Sequence, residues 1–265
     1  MKKCSIFSLI LLLSFQLYAC GTTPSVSEQP PQTTEDSKDT TLSEHPDDSE
    51  KPTVSHSPFY MERYSVEQVI EYFNEVVLNV EYGAGSGNHQ AVKKWTEKIT
   101  YRLEGEATEK DLEVLEGFFA ELNVIEGFPG IYPAAENETA AMTIHFYNRH
   151  AFKDNMSQYI DDETADGAAV YWFYNNNNQI HTAKIGYRTD IKQTTRNSVL
   201  LEEIVNALGL GDSWLREDSI VYNGYSLPQK LSDMDWLILK LLYNSKMESG
   251  MYQDECTEII KILYY

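Results

Sequence analysis

Leu201-Glu202-Glu203-Ile204-Val205-Asn206-Ala207-Leu208-Gly209-Leu210-Gly211-Asp212 is the stretch on which the reading of this chain turns. Leu201, Ile204, Val205 and Leu208 recur at helical spacing and mark one buried face. The helix they belong to begins near Gln193, and Gly209 stops it, because glycine adopts the left-handed conformation that ends helices. Glu202, Glu203 and Asn206 fall off the apolar stripe. On that ground alone the two glutamates read as solvated residues on the outer side of a core helix.

Working outward, Ser65 with Gln68 forms a capping box before a helix carrying Val69, Ile70, Phe73, Val76 and Val77. Ile99 to Leu103 alternates as a strand. Thr108 with Asp111 opens a second helix lined by Leu112, Leu115, Phe118, Phe119 and Leu122. Gly127, Pro129, Gly130 and Pro133 break the chain, and Met142 to Tyr147 is a second strand. Residues 168–174 and 180–187 pair as a hairpin around Asn175 to Asn178, since asparagine tolerates left-handed turns. After Gly209 an irregular stretch leads to a helix starting at Leu231 to Asp235 and running through Leu242. A last helix covers about Gln253 to Leu263. Helices and strands mix without a regular βαβ rhythm, so the class is α+β.

The N-terminus is a processing signal. Lys2 and Lys3 precede an apolar run, Ile6 to Leu17, that falls short of the roughly 20 residues a spanning helix needs. Leu17-Tyr18-Ala19-Cys20 follows. One reading is an ordinary secretory signal, residues 1–19, cut near Ala19. The other rests on a resemblance of this tetrapeptide to the lipobox of bacterial lipoproteins. That resemblance implies that Cys20 carries diacylglycerol and tethers the chain to the outer side of the bacterial cytoplasmic membrane. Two acyl chains suffice for stable anchoring. Residues 20–57 are rich in Ser, Thr, Pro and acids and cannot bury enough apolar surface to order, so they read as an extended, self-repelling spacer. Residues 58–265 form one globular domain. With Cys4 in the signal and Cys20 lipidated, Cys256 is left as a single thiol, read as a buried small hydrophobe.

The formal net charge is −20, with +2 from the signal and −6 from the spacer, leaving −16 on the domain. Such a domain repels nucleic acid and anionic lipid head groups. Gly83 to Gly87 lacks the lysine and following helix of a phosphate loop. Nucleic acid is therefore excluded as a partner.

The helix ending at Gly209 fits the frame of the extended zinc motif H-E-x-x-H-x-x-G-x-x-H/D. Glu202 and Asn206 occupy the two histidine positions, Glu203 that of the catalytic glutamate, Gly209 the turn and Asp212 the third ligand. Ser232 to Tyr243 resembles the methionine turn (Met234) and closing helix of metzincin peptidases, and Trp95 with the strand from Ile99 resembles the start of such domains. The chain is also similar to a family of secreted bacterial proteins and lipoproteins known only as a domain of unknown function. These resemblances imply a zincin-like domain: a small twisted sheet with a hairpin, a long active-site-type helix and C-terminal helices. They imply no established activity. Both zinc-binding histidines of the first pair are absent. An oxygen set of Glu202, Asn206 and Asp212 would suit calcium, magnesium or manganese rather than zinc. Two outcomes follow. In one, no cofactor is held, and the domain is a non-catalytic binder of a peptide, a protein or an envelope component. In the other, a divalent metal bound by Glu202, Asn206 and Asp212 serves a peptidase with Glu203 as base.

Overall fold

The computed structural model describes residues 57–78, 90–156 and 167–265. The signal, Cys20, the spacer up to residue 56 and the Gly83–Gly87 loop lie outside the described residues. In chain order the elements are α1 (Val66–Leu78), β1 (Lys94–Trp95), β2 (Ile99–Gly105), α2 (Glu109–Leu122), β3 (Ile131–Pro133), β4 (Met142–Tyr147), α3 (Arg149–Met156), β5 (Ala168–Tyr174), β6 (Gln179–Arg188), α4 (Gln193–Ala207), α5 (Asp233–Tyr243) and α6 (Gln253–Tyr264).

Local chemistry sets most of the boundaries. Ser65 and Gln68 exchange the two bonds of a capping box before α1. Thr108 and Asp111 do the same before α2, and Ser232 and Asp235 before α5. Each box satisfies backbone N–H groups that a helix start leaves without partners. Asn178 turns the β5–β6 hairpin in the left-handed region, at φ +58°.

The class is α+β with a mostly parallel sheet. β4 pairs in parallel with β2 on one side and β6 on the other, and β2 pairs in parallel with β3. β5 runs antiparallel to β6, and the two residues of β1 meet the start of β6 in parallel. β3 and α3 go beyond the sequence reading. β3 is too short to show alternation and stands among the turn residues that break the chain. α3 carries only Phe152 and Met156 inward, which with Ala169 make a small second core.

The main core lies on the other side of the sheet. Met142, Ile144 and Phe146 point into it from β4, with Ile185 and Tyr187 from β6, under Phe73, Leu115, Leu200, Ile204, Leu237 and Leu241 from the helices. α4 packs on the β5–β6 hairpin that precedes it and on α2. A buried ion pair between Arg196 and Asp111 ties α4 to the α2 cap, and Gln193 Nε2 donates to the same carboxylate at 2.7 Å. Among the described residues no helix is long and apolar enough to cross a membrane.

Candidate functional site

The C-terminal end of α4 is held by two distant elements, and its middle by the preceding strand. Trp95 Nε1 of β1 donates to Ala207 O at 2.8 Å, and Tyr243 OH of α5 donates to Leu208 O at 2.8 Å. Tyr187 OH of β6 donates to Leu200 O at 2.7 Å. Trp95 and Tyr243 thus satisfy carbonyls that the end of a helix leaves open. Gly209 sits at φ +111°, and a Cβ there would lie 2.3 Å from Lys93 O. Only glycine fits, for both its conformation and its clearance. The chain then reverses, and Gly211 N donates to Val76 O of α1 at 2.5 Å.

Above this fixed end lie the residues of the frame. Glu202 and Glu203 keep partial access to solvent yet stand deep among protein atoms. Ser226 Oγ donates to Glu202 Oε2 at 2.7 Å. Burial raises the Glu202 carboxyl to about 8; the Ser226 bond opposes the rise and the Asp212 charge adds to it. Burial also pushes Glu203 well above the ordinary carboxylate range, helped by the charges of Glu202 and Asp212. No hydrogen-bond donor or cation meets Glu203 among the described residues. Asn206 is 9% exposed; its Nδ2 donates to Asp212 Oδ1 at 3.2 Å, while its Oδ1 is buried without a partner.

The structure therefore brings Glu202, Glu203, Asn206 and Asp212 into one neighbourhood, but it does not present them as a zinc site. Zinc needs three or four lone pairs converging at about 2.0–2.3 Å. Here Asn206 turns its NH₂ group, a donor, toward Asp212, and Glu202 is engaged by Ser226. Among the described residues no group of three or more His, Cys, Asp and Glu side chains converges for a metal. Met234 lies buried in the first turn of α5. His150 and His181 are exposed, and His145 stacks on Tyr147 beside Glu104 on the far side of β4. Cys256 is buried in α6, its thiol pushed up to about 12 by desolvation.

The glutamates do not stand on a solvated helix face. Ser226, in the loop between α4 and α5 that is unmarked in the sequence apart from being irregular, reaches Glu202. Two buried carboxylates hold that loop. Glu75 of α1 accepts from Ser213 Oγ at 2.6 Å and Trp214 N at 2.9 Å. Asp235 of α5 accepts from Ser219 Oγ, Ile220 N, Ser232 N and Tyr72 OH at 2.7–3.0 Å. Ser226, twenty-four residues from Glu202, had no spacing signal to betray it. The loop also exposes Trp214, Leu215, Tyr225 and Leu227, with Tyr222 packed edge-on against Trp214 and Tyr225.

Residues 66–262 match the family model described as "Protein of unknown function (DUF2927)", and the chain belongs to that family. No curated protein matches it.

Proposed function

We propose that this chain is an exported lipoprotein, anchored through Cys20 to the outer face of a bacterial membrane, whose zincin-like domain binds a peptide, a protein or an envelope component and does not hydrolyse it. The observation that carries this reading is the Asn206–Asp212 hydrogen bond: two positions that would hold a metal are occupied with each other, donor to acceptor. The scaffold supports it as well. α4 directly follows the β5–β6 hairpin and packs on both of its strands, then ends at a glycine that nothing else can replace. β5 lies at the margin of the sheet beside that helix. The lipobox-like ending at Cys20 and the acidic spacer supply the tether.

The test is a peptide-library digest read by mass spectrometry. It uses the mature chain extracted from membranes in detergent, free of tag histidines, with and without added zinc, calcium or manganese. No chain-dependent cleavage is expected. Cleavage that Glu203→Gln abolishes overturns the reading in favour of a peptidase. The tether is tested separately: the intact mass of the mature chain carries a diacylglycerol increment that Cys20→Ser removes.

A further inference from the structure

The loop between α4 and α5 holds apolar side chains in water on a pinned backbone. Trp214 is 63% exposed and Leu227 67%, and Leu215 and Tyr225 are open to solvent as well. Trp214, Tyr222 and Tyr225 form one cluster. Their ring centroids lie 6.1 and then 4.9 Å apart, at interplanar angles of 80° and 66°. Beneath them Ser213 N donates to Val221 O and Asn223 N to Ser213 O, both at 2.8 Å, which ties the two arms of the loop together. Buried Glu75 accepts from Trp214 N, and buried Asp235 accepts from Ile220 N. A Cβ at Gly224 would lie 2.5 Å from Tyr222 Cε1, so only glycine lets that ring lie so close to the backbone. Two buried carboxylates and a cross-loop bridge thus support rings that the free domain leaves in water. Exposed aromatic groups on a fixed backbone mark a contact surface, because they bury a large area on docking and little order is lost in doing so.

We propose that Trp214, Leu215, Tyr222 and Tyr225 form the docking surface for a protein partner that presents an apolar side chain flanked by lysine or arginine. This names the surface and the partner chemistry of the binding reading above and rests on that reading. Charge selects the partner. Tyr225 OH donates to the carbonyl of Glu217 at 3.4 Å, and the Glu217 side chain is exposed. The charge of Glu71 on α1 acts on Glu75, the carboxylate that holds Trp214. Arg216 pairs with Asp218 and lies over the rings of Tyr64 and Tyr72, so its charge is matched within the chain. Lys230 stands at the other end of the loop, two residues before the α5 cap. The rim of the cluster is therefore negative, in a domain of net charge −16, and favours a basic partner. A second copy of the chain would bring the same charge. An anionic membrane would too, and segments that lie in membrane interfaces carry lysine and arginine on their polar side. The rings stand edge to face and share no plane, which suits a protruding side chain rather than a flat sugar ring.

The experiment measures binding of blocked, fluorescently labelled peptides by anisotropy. The mature chain is moved from detergent into phosphatidylcholine nanodiscs, so that no micelle covers the patch. Four peptide sets cross an apolar centre (leucine, phenylalanine or tryptophan) or an alanine centre with lysine and arginine flanks or glutamate flanks. The apolar, basic set is expected to bind about tenfold or more tightly than the other three. Trp214→Ala and Tyr225→Ala, each checked for an unchanged urea midpoint, are expected to weaken that binding about tenfold or more, as the loss of a buried aromatic anchor does. Glu217→Lys is expected to narrow the preference for basic flanks. Two ring variants keep the test open if one fails to fold. Retention of tight binding by both overturns the surface and leaves the binding reading standing. Equal binding of basic and acidic flanks overturns the charge of the partner. A blue shift of tryptophan fluorescence on phosphatidylglycerol vesicles, absent from Trp214→Phe, gives the patch to a membrane and overturns the protein partner. Pairing of nanodiscs that Trp214→Ala abolishes gives it to a second copy and overturns the partner likewise. Binding of no peptide overturns the inference, whereas the binding reading falls to a separate readout, the cleavage that Glu203→Gln abolishes.

Discussion

Asp235 and Glu203 are both shielded carboxyls on helices of the main core, and they live in opposite surroundings. Asp235 has no exposed surface and accepts hydrogen bonds from Tyr72, Ser219, Ile220 and Ser232. Among the described residues, the charges that act on Glu203 are those of Glu202 and Asp212, both of its own sign. A carboxylate with four neutral donors is a fastener, here pinning the loop between α4 and α5 onto α1. One with no donor gains nothing for the fold and is retained at a cost.

The largest effect should come from breaking the fastener. Asp235→Ala leaves buried donors without an acceptor, and the expected loss is about 3–5 kcal/mol in urea unfolding followed by circular dichroism. A loss below about 1 kcal/mol would mean that the loop is held by something else.

Next comes the unpartnered group. Glu202 lies at about 8 rather than 4.5, and Glu203 is displaced in the same direction. A carboxyl raised in the folded state holds protons that the unfolded chain has released. Its stabilising share is present in full below about 4.5 and is lost as pH rises through about 8. The free domain should therefore weaken between pH 5 and 8 on this account. Glu203→Gln should flatten that slope and raise stability at pH 8 by about 1–3 kcal/mol, measured by unfolding at the two pH values. An unchanged or lower stability at pH 8 would show that Glu203 has a partner after all.

The smallest effect tests the intermediate case, Glu202, which has a single donor. Ser226→Ala should cost about 0.5–1.5 kcal/mol at pH 8, and less at pH 5, where Glu202 is neutral and the bond loses its charge assistance. An equal loss at both values would place the effect in loop packing instead.

Much of this was legible in the sequence. The boundaries of β4, α4 and the β5–β6 hairpin lie within a residue or two of those read from periodicity and turn chemistry. The capping box at Ser65 forms as written, and the helix starts read at Thr108 and at Leu231 to Asp235 are closed by capping boxes as well. β3 and α3 were not legible, because three strand residues and a helix with two inward side chains leave no periodic pattern. At the site, the zinc-motif frame grouped Glu202, Asn206 and Asp212, and in the structure Asn206 bonds Asp212, whose charge acts on Glu202. It did not tell that the glutamates stand deep among protein atoms, nor that Asn206 would spend its NH₂ group on Asp212. The loop that reaches Glu202 is irregular, and its anchors Glu75 and Asp235 come from α1 and α5.

The sequence by itself determined where the helices start and stop, which face of α4 is apolar, that Gly209 ends it, and that the domain is strongly acidic. Those properties depend on neighbours within a turn or two, or on composition. Only the tertiary structure decided which carboxyl becomes a fastener and which is left unpartnered. The donors that make the difference arrive from far along the chain, Tyr72 from 163 residues before Asp235, and Ser226 from 24 residues after Glu202. A side chain's hydrogen-bond partners are set by the packing of whole elements, which no local spacing encodes.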